Sequence, residues 1–199
     1  MSTSDPANRR PEELLAFGEA ELVGVRFADG AYAGADLIEL HTRGVVFEDC
    51  DFSGARMSSS THKSSAFLRC KFGKAVLRDA VFDGCKMTGS DLSAALMRPM
   101  RVLGGDWSYV TLRGSDLTEL DFSGAKLAEA DLSESIAHRA RFSGCDLRHA
   151  RVHHTDFAEA DLRGADLEGV DLLGASWRGA HVDLAQSGLF AMALGLVVD

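Results

Sequence analysis

Large apolar side chains recur at every fifth position of this chain from Leu22 to Val182, without an insertion or a deletion. Three of these positions hold a different residue: Thr42, His62 and Ala137. The residue two places earlier is small at all but three positions: Leu40, Met100 and Leu120. A period of five fits neither the 3.6-residue period of a helix nor the two-residue period of a strand, so the pattern indicates a different repeating element.

The five-residue period fits a chain that turns one corner in each pentapeptide and sends one large apolar side chain inward on each side. Four corners close a square coil of about 20 residues, and stacked coils can pair their backbones with one another. Residues 22–182 then form about eight coils, or a rod roughly 38 Å long. We therefore expect an all-β solenoid at residues 22–182, an N-terminal tail and cap at 1–21, and a C-terminal helical cap and dimerisation segment at 183–199.

The most regular stretch, residues 160–174, reads Ala-Asp-Leu-Arg-Gly, Ala-Asp-Leu-Glu-Gly and Val-Asp-Leu-Leu-Gly. It resembles the pentapeptide-repeat family, whose consensus is A(D/N)LXX, and the resemblance covers residues 22–182 in one register. It implies a right-handed quadrilateral β-helix. The least regular stretches are Met57–Phe67 and Met97–Gly105, and we expect an irregular coil at one of them because Pro99 lacks a backbone donor.

The net charge of −9 and the pI near 5.2 argue against direct binding of nucleic acid, which requires clustered basic residues. The first 21 residues do not have the composition of a signal peptide, and the apolar run Gly188–Val198 is too short to cross a bilayer. We therefore expect a cytoplasmic protein that does not contact the membrane.

The sequence contains no arrangement typical of a catalytic or metal site. The four cysteines, Cys50, Cys70, Cys85 and Cys145, all occupy the small inward position, where a thiol acts as a small apolar group. His62 takes a large inward position, and Thr42 one coil away is its expected polar partner. We expect no metal, no cofactor, no small-molecule substrate and no enzymatic activity.

Both ends of a solenoid need a cover. At the N-terminus we expect residues 1–10 to be disordered and Leu14, Leu15 and Phe17 to cover the first coil. At the C-terminus, Asp183 is typical of a helix cap and Gly195 of a helix end. The tail is more apolar than a cap requires, which favours a homodimer over capping alone. The candidate dimer residues are Leu189, Phe190, Met192, Leu194, Leu196 and Val197.

Charge is distributed unevenly along the chain. Residues 56–78 hold six basic residues and no carboxylate, whereas residues 101–199 carry a net charge of −7. In the acidic half, aspartate often precedes the central apolar residue, where it should point outward in four columns along the rod. These candidate partner-binding residues are Asp106, Asp116, Asp121, Asp131, Asp146, Asp156, Asp161, Asp166 and Asp171. A solubilising surface is the alternative interpretation.

The chain also resembles the gyrase-interacting, fluoroquinolone-resistance type of this family, the MfpA- and Qnr-like proteins. That resemblance implies an interaction protein that mimics duplex DNA, binds DNA gyrase, and inhibits it or protects it from fluoroquinolones. Two alternatives stay open. One is self-immunity or regulation in an antibiotic producer; the other is a structural scaffold for an unrelated partner, which the basic stretch favours.

Overall fold

The chain folds as a β-solenoid in which each coil takes 20 residues. The computed structural model describes residues 8–9, 14 and 21–198. Its parallel bridges join residues 20 apart, from Ala31 with Asp51 to Asp161 with His181. Residues 22–181 therefore form eight coils, and the square coil predicted from the five-residue period is confirmed.

The strands are two or three residues long because the chain turns after each of them. They are β1 (Asn8–Arg9), β2 (Leu22–Val23), β3 (Arg26–Ala28), β4 (His41–Arg43), β5 (Val46–Glu48), β6 (Thr61–Lys63), β7 (Ala66–Leu68), β8 (Val81–Asp83) and β9 (Arg101–Leu103). They pair in parallel in two sheets, of order β1-β3-β5-β7 and β2-β4-β6-β8-β9. Beyond β9, single bridges between coils continue the same register to residue 181.

The N-terminal expectation is partly wrong. Residues 8 and 9, predicted to be disordered, pair with Arg26 and Phe27 of β3. The first coil would otherwise present an unpaired backbone edge, which a short strand can complete. Leu14 is buried, as expected of a cover. Leu15, Phe17 and the remainder of residues 1–7 and 10–20 lie outside the described residues.

Aromatic rings fill the centre of the rod, and the 20-residue register stacks them. Phe47 stacks on Phe27 and Phe67, with ring centroids 5.3 and 4.9 Å apart. On the next side, Phe52 lies 5.0 Å from Tyr32 in the same way. Because each ring contacts the equivalent ring of the next coil, the coils pack into one continuous core.

A small polar cluster lies inside this core. His62 is fully buried, and its Nδ1 lies 2.8 Å from the hydroxyl oxygen of Thr42. Its Nε2 lies 3.0 Å from Ser60, and Thr42 also contacts Ser65 at 2.9 Å. Each polar side chain therefore has a hydrogen-bonding partner, which makes its burial tolerable. The expected pairing of His62 with Thr42 is confirmed.

The four cysteines are buried free thiols, as predicted. The Sγ of Cys145 donates to the backbone carbonyl of Phe122 at 2.8 Å. Burial raises the pKa of the Cys145 thiol to about 12 and that of Cys85 to about 11. Both thiols therefore stay protonated at neutral pH.

Two places depart from the regular coil. Residues 98–99 form a bend where the neighbouring repeats have a turn, so the predicted irregularity falls at Met97–Gly105 and not at Met57–Phe67. The spacing between coils is nevertheless kept there, as Val76 pairs with Leu96. In the last coil, Leu172–Gly174 form a 3-10 helix.

A helix at Leu184–Ala193 covers the C-terminal end of the rod. Asp183 caps it, as predicted, and forms a capping box with Gln186. The Nε2 of Gln186 donates to the carbonyls of Leu162 and Ala165 at 2.6 and 2.8 Å. These bonds fix the helix to backbone groups of the last coil. No helix within residues 21–198 is long and apolar enough to cross a bilayer.

Candidate partner-binding surface

The candidate aspartates lie on all four sides of the acidic half of the rod. The bridges place Asp146 beside Asp166 in adjacent coils, and Ile136 between Asp116 and Asp156. The register of the solenoid thus brings together residues that are 20 apart in sequence. The columns predicted from the repeat are present.

Each of the nine aspartates has a local structural role. Its Oδ1 accepts a hydrogen bond from the backbone N–H two residues later, at 3.0–3.2 Å in every case. Such Asx turns stabilise the corner that follows each aspartate. Turn geometry therefore accounts for much of the preference for aspartate at this position.

The expectation that all these carboxylates point outward is wrong in part. Asp131 is buried, with 9% of its surface exposed. The side chains of Asp146 and Asp161 are 23% and 18% exposed, whereas those of Asp116 and Asp166 are 54% and 53% exposed. The Asx turn is common to all nine aspartates, so it does not explain this difference. Arg148 and Arg163 each donate two side-chain hydrogen bonds to the carboxylates of Asp146 and Asp161 and cover them. Among the ion-paired candidate aspartates, Asp116 and Asp166 are the most accessible.

The columns are also not uninterrupted acidic ladders. Arg141 lies between Asp121 and Asp161, and Lys126 lies between Asp106 and Asp146. Like charges on adjacent strands repel one another, so alternation of sign stabilises the stack. The acidic half is a mixed network of charges with a negative excess.

Most of the candidate carboxylates are ion-paired. Six have an arginine nitrogen within 4.0 Å, and Asp156 lies 2.7 Å from Nε2 of His138. The arginine pairs are Asp116–Arg98, Asp121–Arg141, Asp131–Arg151, Asp146–Arg148, Asp161–Arg163 and Asp166–Arg148. Within residues 21–198, Asp106 and Asp171 have no cation within that distance.

Hydrogen bonds from arginine lower the pKa of two of these carboxylates. The Arg163 guanidinium holds the pKa of Asp161 well below its usual range, and Arg148 lowers the pKa of Asp146. The spacing Asp-Leu-Arg, shared by residues 146–148 and 161–163, is a signal in the sequence that could have revealed these pairs. Asp146 and Asp161 therefore stay ionised at a lower pH than an unpaired aspartate does.

The C-terminal tail exposes a group of apolar side chains. Met192, Leu194, Leu196 and Val197 are 61%, 71%, 60% and 87% exposed. Leu189 is also exposed and lines a recess of about 550 Å³ between the helix and residues 166–172. These five candidate dimer residues thus form a patch at the end of the rod.

Phe190 is less exposed than these five residues. Its ring packs edge to face on Trp177, with the centroids 5.3 Å apart, and it contacts the core. The ring is only partly buried, so the place of Phe190 on the dimer surface stays a prediction. Trp177 in turn stacks on Phe157 at 4.5 Å.

The described residues hold no group of three or more His, Cys, Asp or Glu side chains placed to bind a metal ion. His153 and His154 have ring centroids 3.8 Å apart, but they remain a pair. The depressions at Arg98 and at the C-terminal helix are recesses in the surface of the rod.

Comparison with known proteins agrees with the coil. Residues 67–98, 104–133, 125–164, 138–174 and 160–181 match the family described as pentapeptide repeats, in eight copies. The chain belongs to the pentapeptide-repeat family.

A structure of QnrB1, a plasmid-mediated fluoroquinolone resistance protein, superposes with a TM-score of 0.63 and 20% identity. That match covers 98% of this chain and 94% of QnrB1.

Two curated relatives are pentapeptide repeat proteins named MfpA. The chain is 37% identical over 60 residues to MfpA of Mycobacterium tuberculosis, covering 30% of this chain and 33% of that protein. It is 41% identical over 51 residues to MfpA of Mycolicibacterium smegmatis, covering 26% of this chain and 27% of that protein. The matched segments thus span about a third of these relatives or less.

Proposed function

We propose that this rod binds the basic DNA-binding surface of a type II topoisomerase such as DNA gyrase, as a mimic of duplex DNA. Binding then inhibits the enzyme, protects it from fluoroquinolones, or does both. The observation that carries this proposal is the recurrence of ionised carboxylates on all four sides of the coils between residues 106 and 171. A basic protein surface attracts such a rod over a distance, as it attracts DNA.

The similarity to MfpA and to the fold of QnrB1 supports the same assignment. QnrB1 is a plasmid-mediated fluoroquinolone resistance protein. Because most of the candidate aspartates are ion-paired, the mimicry would depend on the excess of carboxylates over basic side chains in the acidic half. At the interface, arginines such as Arg141 and Arg148 would either separate from their carboxylates or remain paired with them.

We further propose a homodimer formed through the apolar patch of the C-terminal tail. Two rods of roughly 38 Å joined end to end would match about 22 base pairs of B-DNA at ~3.4 Å per pair. The acidic halves would then lie on either side of the two-fold axis. A dimer of this kind would present the continuous negative surface that a bound duplex presents.

The proposal is tested by competition between this protein and duplex DNA for purified gyrase. We expect the protein to displace a labelled duplex, and the displacement to weaken steeply as the salt concentration rises. A scaffold that used an apolar surface would bind almost independently of salt. Binding to gyrase without displacement of DNA would contradict the mimicry.

A further inference from the structure

Two of the four cysteines, Cys50 and Cys70, are stacked on one another in neighbouring coils. The next residues along the chain, Asp51 and Lys71, form a parallel bridge. The backbone N–H of Lys71 also donates to the carbonyl of Cys50 at 3.0 Å. Neighbouring strands lie about 4.8 Å apart, and a disulfide joins residues whose Cα atoms are about 4.4–6.8 Å apart. The backbone therefore holds the two cysteines at a separation that a disulfide can bridge.

The two thiols make equivalent contacts, one coil apart. The Sγ of Cys50 donates to the carbonyl of Phe27 at 3.6 Å, and the Sγ of Cys70 donates to that of Phe47 at 3.5 Å. Both cysteines are only 1% exposed. The two sulfurs thus point the same way from successive coils. Because a thiol is a weak donor, these bonds oppose only weakly a rotation about χ1 that brings one sulfur to the other.

The interaction between the two thiols changes their acidity. When Cys50 ionises, the thiol of Cys70 can donate a hydrogen bond to it, and this interaction lowers the pKa of Cys50. The same interaction, together with burial, raises the pKa of Cys70. The thiolate is the nucleophile in thiol oxidation, and a neighbouring thiol converts the first product into a disulfide. Cys50 can therefore supply the reacting sulfur and Cys70 the second sulfur.

The other two cysteines have the same position in the repeat but no thiol beside them. The 20-residue register places Ser65 and Gly105 beside Cys85, and an alanine on each side of Cys145. Burial raises the pKa of both thiols. Cys85 and Cys145 are therefore matched internal controls for the stacked pair.

We propose that Cys50 and Cys70 form a reversible oxidation site, at which a hydroperoxide produces a disulfide between two neighbouring coils. The Cys50 thiolate attacks a peroxide oxygen, the O–O bond breaks, and Cys50 becomes a sulfenic acid while hydrogen peroxide is reduced to water. The sulfur of Cys70 then attacks that of Cys50 and displaces its hydroxyl group as a second water. Two thiols lose two hydrogens in total, and one peroxide is reduced.

The small size of hydrogen peroxide suits a buried pair, because brief local opening of a coil is sufficient to admit it. The disulfide would close a loop of about 20 residues in the unfolded chain, which stabilises the folded state. Oxidation would thus fasten the coils of residues 42–61 and 62–81 to each other. Neither cysteine lies within residues 106–171, so the proposal does not depend on binding to gyrase.

The test treats the folded, reduced full-length protein with hydrogen peroxide, alkylates the remaining thiols in denaturant, and maps tryptic peptides by mass spectrometry. We expect residues 44–56 linked to the dipeptide of residues 70–71, with Cys85 and Cys145 alkylated. The oxidised protein should melt about 5 °C or more above the reduced protein. Dithiothreitol should reverse both the link and the rise in melting temperature.

The variant Cys50→Ala should form no link and show no rise in melting temperature on oxidation. The matched control Cys85→Ala removes a thiol from the same position of the repeat and should respond to peroxide as the wild type does. Alanine is the commonest residue at this position, so both variants should fold.

Four results would overturn the proposal. The first is the absence of the linked peptide when the exposed Met192 has been converted to its sulfoxide, which shows that the peroxide acted. The second is a sulfinic acid at Cys50 without a link. The third is a link that forms only in urea or only between two chains. The fourth is a linked protein that melts no higher than the reduced one.

Discussion

The Nη2 of Arg141 lies 2.7 Å from Oδ2 of Asp121, one coil away along the rod. The two side chains are 59% and 41% exposed, so solvent screens the pair and its contribution to stability is small. The pair matters more for recognition, because it sets how much of the carboxylate's charge a partner meets. A partner with a basic surface has to compete with this arginine.

The charge of the acidic half can be separated from its structural role with asparagine. Asparagine keeps the oxygen that accepts the turn hydrogen bond and removes only the charge. We expect the triple variant Asp116→Asn/Asp121→Asn/Asp166→Asn to bind gyrase more weakly, on the order of tenfold, with an unchanged melting temperature. Surface plasmon resonance against immobilised gyrase measures the change.

The control is Asp51→Asn/Asp91→Asn, which alters two turn aspartates outside the acidic half. Their Oδ1 atoms accept from Ser53 and Ser93 at 2.8 Å, so the local chemistry is the same. This variant should bind like the wild type. If both variants weakened binding equally, the acidic half would have no special role.

The buried His62 predicts a specific dependence of stability on pH. Burial, together with the charge of His41, lowers the pKa of His62 to about 3. Below about pH 6.5 the unfolded chain binds a proton that the folded chain does not, so folding loses stability as the pH falls. At pH 4 this costs about 3 kcal/mol.

Urea denaturation of the wild type and of His62→Phe, at pH 7 and pH 4, measures this effect. The carboxylates contribute alike to both proteins, so the difference between them isolates His62. The free energy of unfolding should fall less in His62→Phe between the two pH values. An equal fall would show that His62 titrates normally in the folded state.

Two adjacent glycines should differ in their tolerance of a side chain. Both adopt positive φ, at 66° for Gly104 and 98° for Gly105. A Cβ on Gly104 meets nothing within 4 Å, whereas one on Gly105 overlaps the backbone carbonyl oxygen of Cys85. We expect Gly104→Ala to cost about 1 kcal/mol and Gly105→Ala about 3 kcal/mol or more in unfolding free energy. Similar losses in the two variants, measured by chemical denaturation, would refute the close packing of this coil.

The apolar patch of the tail predicts the oligomeric state. The wild type should sediment as a dimer, and Met192→Asp/Val197→Asp as a monomer, because both side chains are mostly exposed and would be buried by a second copy. The variant keeps the capping box and Gln186, so the end of the rod stays covered. Leu103→Asp, an exposed apolar residue distant in sequence from the tail, serves as the control and should remain dimeric. A double variant that stays dimeric would place the interface elsewhere.

The five-residue period was sufficient to predict the coil, the buried cysteines and the contact between His62 and Thr42. These features depend only on which positions point inward and which point outward, and the place of each residue in the five-residue repeat predicts this. The cap at Asp183 could be predicted for a different reason: an aspartate immediately before a helix is a local signal in the sequence.

The candidate surface was less predictable. The ion pairs of Arg98 with Asp116 and of Arg139 with Glu159 depend on which rotamers meet across neighbouring coils, and the repeat does not specify these. The burial of Asp131 does not follow from its turn, because the exposed Asp116 and Asp166 make the same turn. The packing of Phe190 depends on the rotation of the helix about its axis. The recess between Arg98 and Pro99 lies where the chain bends, and the repeat does not predict the shape of the chain at such an irregular position.

DNA supercoiling by gyrase, titrated with this protein in the presence and absence of ciprofloxacin, tests the proposed mimicry of DNA. We expect inhibition at micromolar concentrations or below, loss of drug-induced cleaved DNA, or both, and a weaker effect of the triple asparagine variant. Unchanged supercoiling and unchanged cleavage at concentrations up to about 50 μM would contradict it, because a DNA mimic of useful affinity would by then have occupied the enzyme.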